Sequence, residues 1–170
     1  KYNVLLMLDE VQTGNGRSGH LYAYQSYGVT PDVMTTAKGL GGGLPIGACM
    51  MNEKMENVLG YGDHGSTYGG NPVCCAGALS ILSRIDDALL AGVTERETYI
   101  RSRLSDYIVT GRGLMLGVET DKPVGEVIAA CREKGVLVLS AKTKLRLLPP
   151  LNIPMELLTE AMDVIVAALK

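Results

Sequence analysis

Two apolar runs, each ended by one charged residue, constrain this chain more than any other feature. Val4-Leu5-Leu6-Met7-Leu8 runs into Asp9, and Val33-Met34-Thr35-Thr36-Ala37 runs into Lys38. Continuous apolar runs of this kind mark strands covered on both faces. In an α/β fold such strands deliver their carboxyl ends to one edge, and ligands sit at that edge. The pattern therefore predicts a carboxylate and an amine delivered to a common edge.

The rest of the chain reads as an α/β arrangement in two parts. The first strand is expected over residues 3–8, the second over 32–37 and a third over 46–51. Short helices are expected at 22–27, closed by Gly28, and at 53–59. Pro72 opens a long helix over about residues 72–90, since proline in the first turn loses no helical hydrogen bond. A charged helix follows over about 93–108. Then come strands at 114–119, 136–139 and 144–148, a helix at 123–134 stopped by Gly135, and a terminal amphipathic helix at 154–169. This gives a mixed, mostly parallel sheet with helices over residues 1–92 and a small α+β domain over 93–170.

Composition excludes several classes. The chain has 170 residues, 46% hydrophobic content and a formal net charge of −2. That supports a real core and gives no basic tract for nucleic acid. No run of about 20 apolar residues marks a membrane span. Cys49, Cys74, Cys75 and Cys131 form no C-x-x-C pair and have no His cluster beside them, so reduced thiols are expected and a metal site is not. Lys1-Tyr2-Asn3 leads straight into a strand with no initiator Met, and the chain reads as a piece of a longer protein.

The chemistry concentrates at a few positions. Asp9 reads either as a strand-end acid capping a turn or as the partner of a cationic ring nitrogen. Gln12 can donate to a ring oxygen or satisfy loop backbone. Lys38 reads as a solvated surface charge or as a desolvated amine whose pKa falls toward neutral. An acid that holds a ring nitrogen protonated, beside a lysine that forms an imine, is what pyridoxal phosphate chemistry requires. Gly39-Leu40-Gly41-Gly42-Gly43 lets the backbone pass close to a ligand but lacks the spacing of a nucleotide loop. Gly65-Ser66-Thr67-Tyr68-Gly69-Gly70-Asn71-Pro72 reads as an anion site ahead of a helix, or as a plain capping loop. Arg146, alone in an apolar strand, wants a carboxylate. Glu119 can supply it internally, or a substrate can supply it bidentately. His20 and His64 read as loop residues.

These segments together resemble the class III, fold-type-I pyridoxal-phosphate aminotransferases. The resemblance rests on Leu8-Asp9-Glu10-Val11-Gln12-Thr13-Gly14, Gly16-Arg17, Gly28-Val29-Thr30-Pro31-Asp32, Ala37-Lys38-Gly39-Leu40-Gly41-Gly42-Gly43-Leu44-Pro45-Ile46-Gly47 and Gly65 to Pro72, in the family's order. Tyr27 and Tyr68 stand where many relatives carry Phe. The resemblance implies pyridoxal 5'-phosphate as cofactor and Lys38 as the Schiff-base lysine. It implies Asp9 on the pyridine nitrogen, Gln12 on the ring hydroxyl and Thr67 on the phosphate across a homodimer interface. Ser66 would face substrate and Arg146 would hold a substrate carboxylate. The implied reaction moves an amino group from N-acetylornithine or a related omega-amino compound (ornithine, succinylornithine, 4-aminobutyrate) to 2-oxoglutarate, in arginine biosynthesis in the cytoplasm. The other reading is a non-catalytic fragment or structural subunit of such an enzyme.

Overall fold

A computed structural model describes residues 4–170. The expected strand start at residue 3 lies outside the described residues. The chain divides into two compact units, one ending at Asp87 and the other running from Ala88 to Lys170. The division thus falls a few residues before the expected boundary at 92.

The first unit carries a three-stranded sheet. Its strands are β1 (Met7–Asp9), β2 (Val33–Thr36) and β3 (Ala48–Met51), in the order β1-β2-β3. β1 pairs parallel to β2 with Asp9 opposite Thr35, and β3 runs antiparallel to β2. Only β2 is well covered: Val33, Met34 and Thr36 are buried. β1 and β3 are the outer strands, and Val4 and Met7 are 75% and 66% exposed. The apolar run before Asp9 is therefore not buried within this chain, contrary to its pattern. Its side chains suit a two-sided core that the residues of this unit do not supply.

Asp32 clamps the sheet at the end away from Lys38. Its buried carboxylate accepts from the Leu6 amide at 2.9 Å, from Asn52 Nδ2 at 2.8 Å and from Lys54 Nζ at 2.7 Å. These contacts hold its carboxyl down at about 2. The Lys54 ammonium is the main cause, followed by the Leu6 amide and Asn52. One side chain thereby ties the segment entering β1 and the segment leaving β3 to the start of β2.

α1 (Pro72–Leu82) ends well short of residue 90. Arg84 and Ile85 donate to carbonyls only three residues back, which tightens and stops the helix. α2 (Asp87–Arg103) then begins with an acid in its first turn, where the helix dipole favours one. The expected single helix over 72–90 is thus two elements. α1 contains no charged residue and buries only Ala78, while Val73 and Leu79 stay exposed.

The second unit is the better packed. β4 (Val109–Arg112), β5 (Met115–Val118), β6 (Leu139–Ala141) and β7 (Lys144–Leu147) form an antiparallel sheet in the order β4-β5-β7-β6. α2, α3 (Val124–Glu133) and α4 (Met155–Leu169) supply its helices. Leu116, Val118, Leu145 and Leu147 alternate inward along β5 and β7, and join Val93, Ile100, Val127, Cys131, Met162 and Ile165 in one buried cluster. Each fully buried aliphatic side chain contributes about 1.5–3 kcal/mol. β4 was not foreseen: Gly111 interrupts its pattern, and all but Val109 of its residues are exposed. It is held from behind by Arg101, whose guanidinium donates to the carbonyls of Val109 (3.2 Å) and Gly111 (2.8 Å).

Candidate active site

Asp9 and Lys38 emerge where the sequence places them, at the carboxyl ends of neighbouring parallel strands. Asp9 is the last residue of β1 and pairs with Thr35; Lys38 comes three residues after Thr35. Asp9 Oδ1 accepts from the Val11 amide at 2.9 Å and from Thr35 Oγ1 at 3.4 Å. These bonds orient the carboxylate, and Oδ2 has no hydrogen-bond partner among the described residues. Glu10 turns the other way and is buried. It accepts from Ala23 N (3.1 Å), Tyr24 N (2.8 Å) and the Thr13 hydroxyl, and so caps the short helical turn Ala23–Tyr27. Two adjacent acids thus divide the work: one faces outward with an open oxygen and the other fastens the loop beneath it.

Lys38 opens a 3-10 turn, Lys38–Gly41, with φ at +49°. That left-handed conformation is rare for a residue with a side chain, and such strain gathers at functional sites. The turn is seated against α1. A Cβ on Gly42 would lie 2.7 Å from the Ile81 side chain, which would have to move, and the φ of +60° at Gly42 also favours glycine. Lys38 Nζ has no hydrogen bond or ion pair among the described residues. Lys38 and Asp9 are both exposed. The burial expected for the amine is therefore not provided by the described residues, none of which covers the edge beyond β1.

Gln12 is exposed in the loop after Asp9, and Ser66 and Thr67 are exposed in the loop before α1. The capping reading of that loop holds. Asn71 Oδ1 accepts from Val73 N at 3.0 Å and Cys74 N at 3.2 Å, with Pro72 in the first turn. These two amides are therefore already engaged, which leaves the hydroxyls and the remaining loop amides as the donors for an anion.

Arg146 lies on β7 in the second unit, opposite Gly117 on one side and Leu139 on the other. Glu119 is not its partner. Glu119 Oε1 pairs with Lys144 Nζ at 3.1 Å, and Arg146 makes no ion pair among the described residues. Arg146 borders a cavity of about 520 Å³ together with Leu139, Pro149, Ile153, Leu157 and Glu160. The cavity lies wholly within the second unit and involves neither Asp9 nor Lys38.

Three residues that shape the site escaped the sequence reading: Glu10, Asp32 and Asn15. Each is a buried polar residue beside a turn. Asn15 sits between two glycines, a setting that suits positive φ, and it has φ +56°.

A mixed α/β fold with an acid and a lysine at adjacent strand ends defines a class. The chain matches the family description Aminotransferase class-III over residues 1–169 and belongs to that family of pyridoxal-phosphate-dependent enzymes. The particular proteins it resembles include acetylornithine and ornithine aminotransferases. It is 45% identical over 173 residues to the acetylornithine aminotransferase of Haemophilus ducreyi, covering 98% of this chain and 44% of that protein. It is 41% identical over 164 residues to the acetylornithine aminotransferase of Methanocaldococcus jannaschii, covering 91% and 41%. Among solved structures, the acetylornithine aminotransferase of Elizabethkingia anophelis superposes with a TM-score of 0.90 at 32% identity, covering 98% of this chain and 46% of that one. The ornithine aminotransferase of Toxoplasma gondii superposes with a TM-score of 0.92 at 34% identity, covering 98% and 43%. The chain spans less than half the length of these relatives. No helix of the described residues is long and apolar enough to cross a membrane.

Proposed function

We propose that this chain is the Lys38-bearing part of an aminotransferase. It would move an amino group from N-acetylornithine, or a related omega-amino donor, to 2-oxoglutarate in arginine biosynthesis. The observation that carries the proposal is the open Oδ2 of Asp9 and the unpaired Nζ of Lys38 on neighbouring strand ends. Donor chemistry fits pyridoxal phosphate: a free carboxylate oxygen for a ring N–H, a free primary amine for the carbonyl carbon, and hydroxyls at Ser66 and Thr67 for a phosphate. When bound, that group supplies an electron sink and a temporary home for the amino group.

The chain's own residues do the rest. The Lys38 amine takes a proton from the amine-bearing carbon of the donor and returns one during transfer. Asp9, oriented by Val11 N and Thr35 Oγ1, offers a fixed negative charge that would keep a ring nitrogen protonated, so that the ring can withdraw the electrons left on the substrate carbon. Gln12 donates to a ring oxygen. Arg146, with Glu119 engaged elsewhere, is open to a substrate carboxylate. A second copy of the chain is the proposed cover for the exposed loop at 60–70 and for α1, giving a homodimer in which Thr67 reaches the partner's phosphate site. The cysteines are all free, which suits the reducing cytoplasm.

The test is Lys38→Ala in the protein produced at the full length its gene encodes. Loss of the visible absorbance of lysine-bound cofactor together with loss of turnover is expected; retention of both would overturn the proposal. Ornithine is the second donor to assay, since a solved ornithine aminotransferase superposes as well as an acetylornithine enzyme does.

A further inference from the structure

Lys38 has an unusual backbone, and one side chain grips the residues flanking it. Asn15 is 8% exposed. Its Nδ2 donates to Thr36 Oγ1 at 3.2 Å and to the Ala37 carbonyl at 3.1 Å. A carbonyl only accepts, so the amide orientation is set by Ala37, and Asn15 Oδ1 is left buried without a partner. On the far side of Lys38, a Cβ placed on Gly39 would sit 3.7 Å from Asn15 Cβ, in ordinary contact. The Ala37 carbonyl also accepts from Leu40 N at 3.1 Å. The peptide that leads into Lys38 is therefore held by two donors, one from its own turn and one from the loop after β1.

That loop is itself fixed. Gly14 N donates to Glu10 O at 3.0 Å and Gly16 N to Leu21 O at 3.3 Å. A Cβ on Gly14 would meet Glu10 O at 2.7 Å and the Tyr22 ring at 2.8 Å. Asn15 is thus a rigid post, and the only bonds its side chain makes among the described residues run to Thr36 and Ala37.

We propose that Asn15 is a positioning residue that holds Lys38 in its left-handed conformation and so aims the amine. The proposal rests on the aminotransferase reading for what the amine does, but the brace itself is a property of the free protein. Without the Asn15 amide, the Ala37–Lys38 peptide can rotate toward the ordinary right-handed or extended regions, which a lysine prefers. The amine then spends less of its time in the productive direction.

The experiment compares Asn15→Gly and Asn15→Asp with the parent at full length. Glycine keeps the positive φ and removes the amide; aspartate keeps the size and the left-handed tendency but has no N–H to donate. Two readouts are taken. Without cofactor, the Leu40 amide, which donates to the braced Ala37 carbonyl, is followed by hydrogen exchange. With pyridoxal phosphate, capture by Lys38 is trapped with borohydride, and the pH midpoint of the visible absorbance is recorded. Both variants are expected to exchange the Leu40 amide about tenfold faster, capture cofactor about tenfold more slowly and shift the pH midpoint, since releasing a strained backbone is worth about that factor. Leu40 exchange and capture within twofold of the parent in both variants would overturn the brace. A parent that captures no cofactor on Lys38 would instead overturn the aminotransferase reading, and the brace would then be judged on Leu40 exchange alone.

Discussion

Thr35 donates its hydroxyl to Asp9 across the β1–β2 pair, with Oγ1 3.4 Å from Oδ1, and the Val11 amide holds the same oxygen at 2.9 Å. The two donors leave the second carboxylate oxygen open. Asp9→Asn keeps the shape and removes the charge. Turnover should fall about 10²–10³-fold, the scale for loss of one preorganised electrostatic partner. The thermal midpoint should barely move, because Asp9 is exposed. Steady-state rates beside a melting curve check both halves of this expectation.

Arg146 is the counterpart prediction in the second unit. Glu119 is engaged by Lys144, so Arg146→Gln breaks no ion pair among the described residues. KM for the carboxylate substrates should rise about tenfold to a hundredfold, as expected for a charge-assisted hydrogen bond to substrate. Stability should stay close to the parent's. A large drop in melting temperature with KM unchanged would mean that Arg146 serves the fold.

Glu10 should behave in the opposite way to its neighbour. Glu10→Ala leaves the amides of Ala23 and Tyr24 without their acceptor and opens a hole under the loop. The cost should be about 3 kcal/mol, read as a shift in denaturant midpoint. Residual activity per folded molecule should fall far less than in Asp9→Asn.

Acid should loosen the first unit through Asp32. Its carboxyl is held down from 3.8 to about 2, chiefly by the Lys54 ammonium. A folded value below the unfolded one means that the unfolded chain binds the proton more readily. The stabilisation is thus complete above about pH 4 and is lost as pH falls toward about 2. Melting curves over that window should decline for the parent and flatten for Asp32→Asn; parallel declines would refute the linkage.

Much of this molecule was legible in its sequence. The strands expected at 114–119 and 144–148 are β5 and β7, and Pro and Gly punctuation located α3 and α4. The two apolar runs placed Asp9 and Lys38 at strand ends, and β1 and β2 end there. The failures have physical causes. The apolar run before Asp9 is exposed here because its pattern answers to neighbours that this unit does not hold. The 72–90 helix broke at Ser83 to Asp86, where Asp86-Asp87 was a start signal overlooked inside an apolar stretch. β4 was hidden by Gly111. Glu10 and Asn15 act on backbone atoms distant in sequence, and a contact of that kind leaves no local pattern to read.

The outer strands of the three-stranded sheet have a practical consequence. Among the described residues neither β1 nor β3 has a neighbour on its far side, so each offers an open row of amide and carbonyl groups, and beside β1 lie bare Val4 and Met7. A sample of this polypeptide by itself should behave as a template for further strands. Turbidity on concentration is the behaviour to plan for at the bench.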